Sequence, residues 1–396
     1  MTRQISQIWI VVMMNILSLP RRLWMSLAAI IAIAVVVAVL LSFLSMTNGF
    51  KDTLEGTGSE SVAIITRSGS KSELNSVLSG ETVNIVSTAP GIAKNADGTP
   101  EFSPELYVIV DGTKRSSGTD ANLPMRGISR KGFELRDHVE IIEGRVFEPG
   151  KNEIIVGESV QREFTGFELN KKIRFGKTEW EVVGIFSTGG SAFESELWAD
   201  TLVLQSQFQR QNSFQTIRLR LAELGNISGI EEMIKNDPRL ILDVQTEADY
   251  FREQGDALNY IVYFGWGLSI IMALGALAGA LNTMYTSVAA RTQEIATLRA
   301  LGFSNISAFF GTLAESLILS IIGGFIGATV SFLFMDGLST STMGASFTQV
   351  VFTFELSPEL FVNGAILAVL IGLIGGFFPA WRAARLPVVL AFKGGA

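Results

Sequence analysis

LWMSLAAIIAIAVVVAVLLSFLSMTNGF, Leu23 to Phe50, is a run without an ionisable side chain, held between Arg22 and Lys51. As a helix it reaches about 42 Å, against a hydrocarbon core of about 30 Å. Ionisable groups at bilayer depth are costly, so such a run reads as a membrane span. It is long, follows 22 residues of N-terminal sequence and lacks a clean small-x-small cleavage site before Lys51, so no cleaved secretory signal is expected. Three further charge-free runs follow: Ala257 to Ala290, Ser316 to Met335 and Leu360 to Trp381. The expectation is an α-helical membrane protein with four transmembrane helices, one N-terminal and three C-terminal.

Charge is partitioned accordingly. Only 17% of the 396 residues are charged, below the roughly 25% of an average soluble chain. Of the 69 charged side chains, 56 lie between Lys51 and Asp256. The apolar content excludes disorder, the absence of Cys excludes a disulfide scaffold, and net −7 without a basic block argues against nucleic acid. A large water-exposed domain therefore interrupts the spans. Short flanks rich in Lys and Arg stay cytoplasmic. Arg3, Arg21 and Arg22 precede span one, Arg291 and Arg299 lie between spans two and three, and Arg382, Arg385 and Lys393 follow span four. All fall on one side. Asp336, Glu355 and Glu359 lie on the other. The plasma-membrane topology is then a cytoplasmic amphipathic segment (1–22), span one (23–50), an extracytoplasmic α+β domain (51–245), a stalk and span two (246–290), a cytoplasmic helix (291–306), span three (307–335), a short extracytoplasmic loop (336–358), span four (359–381) and a cytoplasmic tail (382–396).

Spans one and two are too long for the bilayer, and TEADYFREQGD, Thr246 to Asp256, continues span two as polar helix. The large domain is expected to stand on two helical stalks. Within it Asn152 to Gly157 reads as a buried strand before a helix, Lys171 to Phe175 and Thr178 to Phe186 as a hairpin, Leu202 to Phe208 and Thr216 to Leu221 as strands, and Gly229 to Asn236 as helix. Gly112 to Pro124 reads as a loop between two lobes.

Catalytic motifs are absent. Gly176-Lys177-Thr178 lacks the first glycine of a phosphate loop and sits strand to strand. His138, the single histidine, reads as a surface residue, and the carboxylates read as solvated. Gly275 and Gly279, Gly323 and Gly327, and Gly372 and Gly376 repeat at a spacing that lets helices approach closely, and they favour a dimer. The cytoplasmic stretch ARTQEIATLRALGFSNI, Ala290 to Ile306, is patterned as an amphipathic helix. Arg291 and Glu294 share one face, Ile295 and Leu298 turn to another, and Gly302 breaks it. Glu315 stands either at the inner headgroup level or just inside span three, as a functional ionisable group, snorkelling to the interface, or paired with Arg291 or Arg299.

LNTMYTSVAARTQEIATLRALGFSNI, ESLILSIIGGFIG and GGFFPAWRAARLPVVLAF resemble the membrane domain of ABC-transporter permeases of the MacB/FtsX-like superfamily. MRGISRKGFELRDHVEIIEGRVF, NEIIVGESVQREF and KKIRFGKTEWEVVGIF are similar to the MacB-type periplasmic core domain, and NGFKDTL resembles lipoprotein-releasing permeases. The resemblance implies a mechanotransmission permease, itself without enzymatic activity or cofactor. ATP and Mg would be bound by a separate ABC ATPase, docked on Arg291, Glu294, Ile295, Leu298, Arg299 and Gly302. Glu315, Pro379, Arg382 and Arg385 would sit at the membrane interface. The implied partners are a second permease copy or paralogue, a periplasmic adaptor and an outer-membrane channel. The implied function is export, with lipoprotein extraction or regulation of a cell-wall hydrolase as alternatives.

Overall fold

The computed structural model describes residues 2–18, 23–136, 138–256, 259–343 and 348–386. Arg21, Arg22 and Lys393, used above for orientation, lie outside them. The chain forms two compact units, one of residues 1–48, 260–338 and 354–396 and one of residues 49–259 and 339–353.

The first unit holds helices long and apolar enough to cross a membrane. Span one begins the helix Leu23–Glu55, span two is Asn259–Ala290, span three Asn305–Met335 and span four Pro358–Ala384. At 33 residues the first helix is about 50 Å long, so it outruns a 30 Å core by several turns. Ile33, Val37, Leu40 and Leu41 of span one pack in one apolar cluster with Ala276, Ala368 and Ile371. Glycine permits the closest approaches. A Cβ on Gly327 would stand 2.3 Å from the Ala34 carbonyl oxygen and one on Gly323 2.8 Å from that of Ile30, so both serve the contact of span three with span one. Gly372 and Gly376 admit Ser320 and Ser316 of span three in the same way. Gly275 and Gly279 face open space. An N-terminal helix, Thr2–Ser18, lies on span three, where a Cβ on Gly311 would meet Val11 at 2.5 Å.

The second unit is built on one mixed sheet. Its strands run in the order Leu242–Thr246, Val62–Arg67, Thr216–Arg220, Phe102–Lys114, Asp120–Ile128, Leu197–Asp200, Glu153–Gly157, Thr178–Ser187 and Glu140–Gly144. Leu197–Asp200 runs parallel to Asp120–Ile128, and Glu153–Gly157 parallel to Thr178–Ser187; the other neighbours on this path are antiparallel. Two apolar clusters lie against it, one of Leu106, Val108, Met125, Val156, Trp180 and Ala199, the other of Ala63, Ile65, Ile217 and Leu219 with Val83 and Ile230.

Three local expectations are corrected. Gly112 to Pro124 is not a lobe boundary but the end of the long hairpin Phe102–Lys114 and Asp120–Ile128. Leu202 to Phe208 is helical as Thr201–Gln207, because the Asp200 carboxylate accepts from the Val203 N–H at 3.0 Å and caps it. The segment between spans three and four, expected as a short loop, contains a hairpin, Ser339–Met343 with Gln349–Thr353, that belongs to the second unit. Val351 is buried in the larger apolar cluster, its N–H donates to Ser195 Oγ at 2.9 Å, and Phe352 packs edge-on against Phe50 at 5.4 Å.

Candidate functional site

Strands alternate their side chains between two faces. In Thr216–Arg220, Ile217 and Leu219 enter an apolar cluster, so Thr216 and Arg218 turn to the other face. In Phe102–Lys114 the same alternation turns Glu105 and Tyr107 away from Leu106 and Val108, and in Asp120–Ile128 it turns Arg126 away from Met125. That second face is covered too, so these groups meet one another instead of water.

They form a buried ionic node of three arginines and four glutamates. Arg126, 1% exposed, donates to Glu196 at 2.6 and 2.7 Å, to Glu73 at 2.5 and 3.2 Å and to Glu105 at 3.0 Å. Arg218 donates to Glu105 at 2.6 Å, to Glu73 at 2.9 and 3.2 Å and to Glu247 at 2.8 Å. Arg136 grips Glu105 with two bonds of 2.9 Å. Trp198 adds an indole N–H to Glu196 at 2.7 Å, and the Tyr107 ring lies under Arg126 at 4.7 Å. Burial opposes ionisation of Glu73 and Glu105, but the surrounding guanidiniums outweigh it. They hold Glu73 well below the usual carboxylate range and Glu105 at about 2. Burial pushes the Tyr107 and Tyr250 hydroxyls upward, so both stay neutral donors and acceptors.

Three segments that lead out of the membrane helices meet this node. Phe50 and Leu54, on the last turns of the first helix, line a cavity of about 60 Å³ with Arg126 and Glu196. The helix Glu247–Asp256, which precedes span two, supplies Glu247 itself, and its Tyr250 hydroxyl accepts the Glu73 N–H at 3.2 Å. The hairpin between spans three and four supplies Thr348 against the Tyr107 hydroxyl at 3.4 Å. No sequence motif announces this site. The one available signal is an Arg or Glu inside each strand of otherwise apolar alternation.

The second candidate region is the end of the membrane unit that carries Arg291. The helix after span two, Thr292–Ala300, stops where Gly302 takes φ +93, with the Phe303 N–H on the Leu298 carbonyl at 3.1 Å, a glycine-dependent helix stop. Glu294 is exposed, Ile295, Leu298 and Arg299 are half-buried, and Ala296 is buried. Arg291 is turned inward rather than outward. It is 5% exposed and its Nη2 donates to Glu315 at 2.9 Å, with Ser287 Oγ on the same carboxylate oxygen at 3.3 Å. Of the alternatives open for Glu315, the structure takes the pairing with Arg291. Arg299 donates to the Leu386 carbonyl. Arg382 lies over the Tyr285 ring at 5.7 Å, Arg385 over Trp381 at 4.3 Å, and Pro379 is buried within span four. Gln7 is a contact that sequence reading missed. Its side chain donates to the Gly302 carbonyl at 3.3 Å and accepts from the Ser304 N–H at 3.4 Å, tying the N-terminal helix to the turn.

Comparison with known families matches residues 26–237 to the MacB-like periplasmic core domain and residues 266–388 to the FtsX-like permease C-terminal domain. The chain belongs to the MacB/FtsX-like permease family. It is 24% identical to YvrN of Bacillus subtilis, an uncharacterized ABC transporter permease, over 93% of this chain and 94% of that one. It is also 24% identical to the macrolide export ATP-binding/permease protein MacB of Vibrio parahaemolyticus, over 74% of this chain but 45% of that one. Among solved structures, the periplasmic region of MacB from Actinobacillus actinomycetemcomitans aligns at 13% identity and a TM-score of 0.37, covering 51% of this chain and 95% of that one. As a MacB/FtsX-like permease, the protein is a multi-pass membrane chain with four apolar helices and a large α/β domain.

Proposed function

We propose that this permease is the membrane subunit of an ABC exporter that works by mechanotransmission. In this reading a separate ATPase binds ATP and Mg, docks on the exposed face of Thr292–Ala300, and moves the membrane helices. The helices move the large domain, with both chain termini cytoplasmic and the domain outside. The observation that carries the reading is the ionic node. Segments continuous with spans one and two and the connection between spans three and four all rest on it, so displacement of any of these helices loads one buried cluster. The Arg291–Glu315 bond gives the inner end a matching latch between the docking helix and span three. Interiors of this kind switch between discrete packings rather than deform continuously. The exposed Gly275 and Gly279 face supports a second permease copy packed against span two.

Export as the outcome, with a periplasmic adaptor and an outer-membrane channel, is proposed from the relatives named macrolide exporters. Lipoprotein extraction and regulation of a cell-wall hydrolase are the competing outcomes, and an acylated protein trapped in the purified complex would select the first of these. Docking is tested by co-expressing the permease with its ABC ATPase. Glu294→Lys, on the exposed face, should abolish ATPase co-purification while the permease still folds. Undiminished recruitment by that variant refutes the docking assignment.

A further inference from the structure

We propose that the groove between the N-terminal helix and the coupling helix, Thr292–Ala300, holds a glycerophospholipid, with its phosphate on Arg299 and on the Arg291 Nε–H. The groove is a cavity of about 310 Å³ within the membrane unit, at the lower end of the range for ligand pockets. Val11 and Met14 form one wall, Ile295 and Leu298 another, and Thr312 of span three closes it.

Two observations point to an anion. Arg291 is almost fully buried and spends Nη2 on Glu315, yet among the described residues its Nε has no hydrogen-bond partner. A buried donor without an acceptor is rare in native structures and calls for an occupant. Glu315, spent on Arg291, and the exposed Glu294 line the same cavity as Arg299, and among the described residues Arg299 has no carboxylate partner, only the Leu386 carbonyl. A phosphate is the anion that guanidinium groups recognise best, through paired charge-assisted bonds.

The wall identifies the source of the phosphate. The N-terminal helix leaves Trp9 at 64% and Leu17 at 73% exposed, apolar surface that a bilayer would cover. In the topology proposed above, a groove beside the Arg291 end of span two lies at headgroup depth, and the exposed Met14 and Leu17 beside it offer a track for acyl carbons. The leaflet is the cytoplasmic one in the orientation proposed above, and the assignment of leaflet rests on that reading.

Native mass spectrometry of the full-length protein in mild detergent, followed by titration of delipidated protein, tests the site. One phospholipid per chain should survive purification. Phosphatidylglycerol should bind at least about tenfold more tightly than either diacylglycerol of the same chains or inorganic phosphate, since each of those lacks half of the recognised chemistry. Arg299→Gln and the groove-filling Ala308→Phe should each weaken retention about tenfold, and Arg299→Lys should restore most of it. Absence of retained lipid, equal binding of diacylglycerol, or retention unchanged in both weakened variants overturns the proposal. So does a groove that crosslinks to the ATPase in place of lipid. ATPase recruitment, read on the wild-type and Ala308→Phe preparations, whose docking residues are intact, reports on the proposed function independently.

Discussion

Replacing Arg126 with Met removes the guanidinium that joins Glu73, Glu105 and Glu196 without greatly changing side-chain volume. The node holds three cations and four anions, so the variant leaves two cations facing four carboxylates in a buried site whose one neighbouring space is the cavity of about 60 Å³. Removing one partner of a buried ion pair costs about 3–5 kcal/mol, because the other partner keeps its desolvation penalty. Against a total stability of about 5–15 kcal/mol, that is a large fraction. The effect should concentrate where the bonds are lost. In full-length protein reconstituted in nanodiscs, amide exchange of peptides covering Leu123–Ile128 and Thr216–Arg220 should accelerate by on the order of a hundredfold or more, since about 1.4 kcal/mol is a factor of ten. Peptides of span three should not change. Adding Glu196→Gln to Arg126→Met should recover part of the loss, as expected for residues in one network. A change of less than about threefold at the node peptides, or an equal acceleration in span three, would refute the argument that these charges hold the domain together.

The same node sets an acid limit. Glu105 has its folded-state value lowered from 4.5 to about 2, and Glu73 is lowered as well, so their contribution is fully present above 4.5 and is lost as pH falls toward 2. Fluorescence of the Trp residues, with Trp198 at the node, should show stability flat near neutrality and falling below pH 4.5, with a shallower fall in Arg126→Met. The glycine pairs should separate by role: Gly327→Leu, whose Cβ would meet the Ala34 carbonyl at 2.3 Å, should disrupt the membrane unit. Gly275→Leu, whose Cβ would meet nothing within 4 Å among the described residues, should leave the unit folded and, if the second copy packs there as proposed, lower the mass of the detergent-solubilised particle from dimer toward monomer.

The membrane architecture was legible because hydrocarbon excludes charge, and the chain obeys this over four separate runs. The node was not legible, because Thr-Ile-Arg-Leu-Arg at 216–220 alternates as a half-solvated strand would. Only the chain that covers the second face, with Glu73 and Glu247, converts that alternation into a buried network, and those residues are distant in sequence. The hairpin at 339–353 was hidden for the same reason: the Ser/Thr-rich strand Ser339–Met343 reads as loop until its partner Gln349–Thr353 is seen held by Ser195 and Phe50. Helical spacing placed Arg291 and Glu294 on one face, but spacing cannot tell which residues of a short helix pack inward. That depended on Glu315, two dozen residues on.

The proposed mechanotransmission requires that ATP hydrolysis by a partner ATPase be felt at the node. Hydrogen exchange of the reconstituted permease–ATPase complex, compared without nucleotide and with ATP trapped by vanadate, measures this at the segments 49–56 and 247–256. Trapping should change protection in both segments together, and Arg126→Met should remove the correlation between them. Full ATP turnover with both segments unchanged would contradict the account.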